Sequence, residues 1–254
     1  MKAIVQSQIY QLKNDLLLKG AFLCMMIFTI LPIPVYLLFS EEKISGGYFA
    51  VSLSAMNTYS VIFLILTAAY IVGRDFGDRT GYHDLLYGCK REEVLWGRFL
   101  VMLVVTVFMS MMLLMELPLV ATLICGWGKE IAVSEFLFRC LLYMFLVIRM
   151  CCEVTFLTVV CNELYQVYAI EFVLYILEMF FSDIKNPFVL VSSATSEIFK
   201  FESWTVSHID GTVDVLYENT LRGDTIAMVI LFSCTMSILY LLLAHFYFKS
   251  KDMN

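Results

Sequence analysis

The chain has 254 residues, 61% of them hydrophobic, with a mean hydropathy of +0.82 and a formal charge of −6. Ordinary soluble domains hold about 45–50% apolar residues, so the composition excludes a water-soluble globular protein and implies one that crosses the membrane repeatedly. The net acidity gives no reason to expect a nucleic-acid partner.

In chain order, residues 1–19 read first as an amphipathic elbow helix. Val5, Ile9, Leu12 and Leu16 recur at helical spacing, while Gln6, Gln11, Lys13 and Asp15 fall elsewhere around the wheel, which suits a helix lying in the inner interface. Crossing roughly 30 Å of hydrocarbon takes about 20 helical residues. Apolar stretches of that order recur six times, at Gly20–Phe39, Tyr48–Val72, Val94–Leu117, Phe136–Cys161, Leu164–Phe181 and Thr225–Phe248. Pro32 and Pro34 should bend or break the first span, and Pro118 should mark the outer end of the third. Asn162 and Glu163 make the fourth and fifth spans a tight helical hairpin.

The segment 182–224 is too long for a turn, and its apolar pieces, 188–191 and 198–204, are too short to span. It predicts short helices or a re-entrant hairpin at the outer surface, with Phe188, Phe199, Phe201 and Trp204 at headgroup level. The first span is too long for a cleaved signal and runs into Glu41, Glu42 and Lys43, so it reads as retained. Only Cys125 and Cys140 lie near the outer side, which excludes a disulfide-stapled ectodomain, and no Cys/His spacing suggests zinc.

Basic residues flanking spans stay cytoplasmic. An inner set of Lys2, Lys13, Lys19, Arg74, Arg79, Lys90, Arg91, Arg98, Lys249 and Lys251 places both termini in the cytoplasm of a cell-membrane protein. Lys43, Lys129, Arg139, Lys185, Lys200 and Arg222 then fall outside, mostly among acids. The predicted fold is an all-α polytopic membrane protein: one domain over 1–254, with an elbow helix, six transmembrane helices, a cytoplasmic helix between spans two and three, and short outer helices between spans five and six.

The cytoplasmic connection 73–93 is glycine-rich and charged. Asp78 can cap a short helix ended by Gly88, presenting Tyr82, Leu85 and Leu86 between the charged flanks Arg74, Asp75, Arg79 and Asp84. The run Asp75-Phe76 through Arg79-Thr80, the pair Leu85-Leu86, Gly88 and then Cys89-Lys90-Arg91 resembles permease subunits of the type-2 ABC exporters, which include antibiotic, bacteriocin and phenol-soluble-modulin exporters. Arg79 stands where that pattern usually has Gly, and Cys89-Lys90 where it has a small residue and Ser or Pro. The elbow, the six spans and the long outer segment extend the resemblance over the whole chain.

The resemblance implies a bacterial exporter in which Arg74, Asp75, Phe76, Asp78, Arg79, Thr80, Tyr82, Asp84, Leu85 and Leu86 form a coupling helix seated on a separate ATP-binding subunit, two copies per complex. It also implies a second permease subunit, identical or a sister chain. The sequence lacks a GxxxxGK[ST] phosphate loop, so this chain binds no cofactor and ATP and Mg belong to the partner.

Five ionisable residues, Glu116, Arg149, Glu153, Glu171 and Glu178, fall within spans, where each needs a partner or a watery cavity. Arg149 and Glu153 are one turn apart and can pair; the hairpin also brings Arg149 toward Glu171. This network reads equally as a packing device or as part of transport. Tyr168, Glu171, Tyr175 and Glu178 share one face of the fifth span, and Ser54, Asn57 and Thr58 one face of the second. In the resembled family these spans flank the central cleft of a permease dimer, so both faces border a translocation path or dimer seam. Acidic and aromatic lining favours a hydrophobic or amphipathic substrate, above all a peptide toxin or antimicrobial.

Two other functions compete. A non-transporting sensor or immunity protein would share the fold. A paired-glutamate intramembrane protease fits worse: Glu92-Glu93 precedes Arg98 by one residue more than EExxxR requires, and neither His208 nor His245 completes FxxxH.

Overall fold

The computed structural model describes residues 1–39, 45–77, 88–161, 163–181, 191–207, 213–219 and 221–250, with backbone alone at 37, 39, 53–59, 75–77, 178–181, 192–193, 202–207 and 213–219. The chain is mainly helical. In order come α1 (Lys2–Asn14), α2 (Leu16–Ile30), α3 (Pro32–Phe39), α4 (Gly46–Gly77), α5 (Arg91–Cys125), α6 (Val133–Cys161), α7 (Leu164–Phe181), α8 (Val191–Ile198), β1 (Phe201–Ser207), β2 (Val213–Asn219) and α9 (Gly223–Ser250). Among the described residues, four segments are long and apolar enough to cross a membrane: 16–36, 91–125, 133–161 and 223–250. Shorter apolar runs lie at 60–74 in α4 and 164–177 in α7.

The hydropathy boundaries hold closely for the later helices, and α7 has the predicted bounds. Three boundaries differ for identifiable reasons. Asp15 separates α1 from α2, ending the elbow five residues short of Gly20: its carboxylate accepts the amides of Leu17 and Leu18 at 3.0 and 3.1 Å and so starts a new helix. Leu31 forms the expected break ahead of the prolines, and Pro32 opens α3, where its missing donor costs nothing. Pro118, in contrast, does not end the third span. Helix α5 runs through it to Cys125 and stops at Gly126, whose φ of +84° suits glycine. The Thr122 hydroxyl donates to the Pro118 carbonyl at 2.6 Å, and the bond that Pro118 cannot make is the one to the Leu114 carbonyl, a loss that a helix packed among neighbours tolerates.

Helix α6 is the hub, packing against α4, α5, α7, α8 and α9. Helices α4 and α5 form a long antiparallel pair. The start of α4 is stitched to the end of α5 by Gly46 and Gly47, whose amides donate to the carbonyls of Gly126 and Trp127 at 2.9 and 2.6 Å. The approach requires glycine at 46, because a Cβ there would collide with Thr122 and the Pro118 carbonyl. At the other end Gly73 meets Leu164, which would lie 2.7 Å from an added Cβ.

The elbow packs on α5 by a different stripe from the predicted one. Ile4 and Gln8 are buried, with Ile4 against Gly97, whereas Ile9 is 52% exposed and Leu16, the first residue of α2, is 82% exposed. The missing side chain at Gly97 makes the bed for Ile4, so the i, i+4 pair beginning one residue earlier wins the contact.

The segment between α7 and α9 also departs from expectation. One eight-residue helix, α8, is followed by an antiparallel hairpin pairing Phe201 with Asn219 and Ser207 with Val213. Phe199 is fully buried against Tyr143 rather than at headgroup level. Phe188 lies outside the described residues, and the side chain of Trp204 is not described.

Contacts place both ends of the chain at one end of the bundle. The Met1 amine lies 3.3 Å from Glu93, and Arg91 donates to the Lys249 carbonyl at 3.3 Å. Helix α8 lies at the other end, near the start of α6. Single cysteines at Ser196 and Ser250 in a cysteine-free background are therefore expected to label from opposite sides of the membrane. Labelling of both from the same side would contradict this arrangement.

Candidate functional site

Three polar clusters stand out of the apolar bundle, one at each end and one between. At the end that holds both chain termini, Asp15 joins three helices. Besides capping α2, its carboxylate accepts from the Tyr70 phenol at 2.9 Å and from Arg74 at 2.5 Å, both on α4. A pocket of about 450 Å³ opens over this contact, lined by Tyr10, Asn14, Asp15, Tyr70 and Arg74. Burial pushes the Asp15 carboxyl up, but the Leu18 amide, the Tyr70 phenol, Arg74 and the Leu17 amide together outweigh it and hold it below the ordinary carboxylate range.

Asp15→Ala is thus expected to cost about 1 kcal/mol through the lost cap. The half-exposed Arg74 adds little, because solvent screens it. A depressed pKa means that the contribution is complete at neutral pH and disappears only as pH falls below about 4. Thermal midpoints of the wild type and the variant should differ by a constant amount from pH 5 to 8; a gap closing by pH 6 would contradict the assignment.

Of the predicted coupling residues, Arg74, Asp75 and Phe76 belong to the last turns of α4 rather than to a loop, with only Arg74 described in its side chain. Asp78, Arg79, Thr80, Tyr82, Asp84, Leu85 and Leu86 lie outside the described residues. Gly88 has a φ of +85°, as a glycine closing a helix would, and α5 begins at Arg91 with Glu92 and Glu93 in its first turn.

In the middle of the bundle the charged residues come together. Arg149 and Glu153 on α6 and Glu171 on α7 all lie near Tyr240 of α9. Arg149 is 3% exposed and its guanidinium lies 4.9 Å from the centre of the Phe232 ring, also on α9. Tyr240 stacks on Phe156. The network therefore spans three helices, where the sequence suggested two.

The Tyr/Glu face of α7 turns toward α4 and α6, the helices it packs against. Tyr168 donates to the Leu66 carbonyl of α4 at 3.3 Å, Glu171 is buried and Tyr175 is half-buried. Glu178 stands on α7, and Ser54, Asn57 and Thr58 on α4, without described side chains. Nearer the end of α5, Glu116 accepts from Thr29 of α2 at 2.7 Å, which gives one acid of an apolar helix a partner.

The cluster at the α8 end was not anticipated. Arg139, counted by charge among the basic residues outside although the predicted fourth span contains it, is fully buried in α6. It donates to Glu135 at 2.9 Å, to the Lys200 carbonyl at 3.1 Å and to the Ile198 carbonyl, and lies 3.8 Å from the centre of the Phe201 ring. One guanidinium thereby fastens α8 and the start of β1 to α6. The Glu135/Arg139 spacing was visible in the sequence; the two carbonyl acceptors some 60 residues on were not.

No protein-family model matches the chain, and no curated protein matches it.

Proposed function

We propose that the chain is the permease subunit of an ATP-driven exporter of the type-2 ABC class, working in the cell membrane with both termini in the cytoplasm. The observation that carries the reading is the grouping of parts at one end of the bundle. An N-terminal helix packs across α5, a charged connection joins α4 to α5, and Asp15 ties the break between α1 and α2 to Arg74, immediately before that connection. A rocking ATPase seated on residues 74–86 would push on α4 and, through Asp15, on the elbow and first span. Helices α4 and α7 supply two further spans beside the four that length and composition identify.

The substrate proposed is a hydrophobic or amphipathic peptide, passing along a seam between two copies of this chain or between this chain and a sister subunit. Tyr168, Tyr175 and Glu178, with Ser54, Asn57 and Thr58, would border it, with Glu171 buried behind them against α4 and α6. Largely uncovered α2 and α9, with 17% and 11% of their apolar windows buried, leave room for a second subunit as well as lipid. Energy would come from ATP and Mg on two ATP-binding subunits. Purification of the full chain from its native membrane tests this: a subunit with a phosphate loop is expected in equal amount. A chain that purifies alone is instead a stand-alone sensor or immunity protein.

A further inference from the structure

We propose that the groove between α1, α2 and α5 is a binding site for an anionic phospholipid, with the headgroup phosphate held by Lys13 and Lys19 and an acyl chain laid along the apolar floor. The bend at Asp15 creates it: α1 and α2 diverge there, and α5 closes the third side. The groove measures about 350 Å³; Leu12, Phe22, Val105 and Met109 form its floor, and the hydrocarbon stems of Lys13 and Lys19 form part of its wall, their ammonium groups lying beyond it. Val105 and Met109 are one turn apart on α5, so the floor runs along a membrane-crossing helix, as an acyl chain does.

Charge singles out the headgroup. Both lysines are exposed, and among the described residues neither has an ion-pair partner. The acid that lies between them in sequence is otherwise engaged, since Asp15 is committed to the α2 amides, Tyr70 and Arg74. Two ammonium groups thus remain uncompensated above an apolar floor, on a chain whose net charge of −6 would otherwise disfavour an anionic surface. A diacyl phospholipid with a net negative headgroup supplies both complements in one molecule: the phosphodiester for the lysines, which bind phosphate as point charges, and hydrocarbon for the floor. A zwitterionic lipid supplies the hydrocarbon but brings its own cation to the lysines. The inference needs only the membrane-crossing character of the chain and stands apart from the exporter reading.

The test uses the full-length chain, delipidated in detergent, with dioleoyl phosphatidylglycerol and dioleoyl phosphatidylcholine as probes and native mass spectrometry to count and titrate bound lipid. Phosphatidylglycerol is expected to be retained preferentially at one site. The double variant Lys13→Gln/Lys19→Gln should weaken it roughly 25-fold, about fivefold per basic residue at an anionic surface, and leave phosphatidylcholine unchanged. Val105→Trp, which fills the floor, should lower retention of both lipids. Lys2→Gln/Lys249→Gln, exposed lysines outside the groove, should change neither, and unchanged thermal midpoints confirm that each variant is folded. Equal retention of the two lipids, an unaffected Lys13/Lys19 variant, an unaffected Val105→Trp variant, or an equal loss from the control pair would overturn the proposal.

Discussion

Arg139→Ala is expected to destabilise the protein by about 3–5 kcal/mol, the cost of breaking a buried charged cluster from one side. The substitution leaves the buried carbonyl of Ile198 without this donor, at about 1–3 kcal/mol for an orphaned buried group, takes one donor from the more exposed Lys200 carbonyl, and removes the cation from the Phe201 ring. Glu135, one turn away, is partly exposed and can turn to water, so the loss concentrates on α8 and β1. Amide exchange at 191–200 should therefore accelerate before the rest of the bundle responds. Arg139→Lys should recover only part of the loss, because an ammonium lacks the planar fork that serves a carboxylate and two carbonyls together. A loss under about 1 kcal/mol, or uniform loosening of all helices, would mean that Arg139 is not the clamp.

The second large effect is expected at Arg149. Removing it by Arg149→Ala takes a buried cation out of an apolar bundle in which Glu153 and Glu171 lie near Tyr240, with an expected cost of about 3–5 kcal/mol in detergent unfolding. Glu171→Gln keeps size and hydrogen bonding and leaves Glu153 near Arg149, so the fold should survive with a much smaller loss. On the exporter proposal, Glu171→Gln should still alter substrate-stimulated ATP hydrolysis by the assembled complex. Should Glu171→Gln leave both stimulation and export unchanged while Arg149→Ala unfolds the protein, the network is packing alone.

What the sequence made legible follows the range of the forces involved. Hydropathy is a local property, and it located the helices from Phe136 to Phe248 within a few residues. Caps are also local: Asp15 ahead of an apolar run carries the N-cap signature, yet the wheel drawn through Leu16 concealed it. The hairpin had a comparable signal in Asp210-Gly211 between alternating residues. Pro118 misled because a helix packed among neighbours can run through a proline, as α5 does to Cys125. Arg139 and Tyr240 were beyond reach for another reason. Their roles depend on partners brought close only when α8, β1 and α9 dock on α6, and no spacing within one helix encodes that docking. The intramembrane acids lay between these cases: their cost in hydrocarbon announced that partners exist, and topology alone identified the common one.

The most direct test of the exporter assignment is the Leu85→Asp/Leu86→Asp double variant, analysed with its ATPase on gel filtration. If residues 74–86 form the seat of an ATP-binding subunit, two charges placed on its apolar ridge should release that subunit while the permease itself elutes and melts as the wild type does. A complex that stays intact with both substitutions would contradict the assignment.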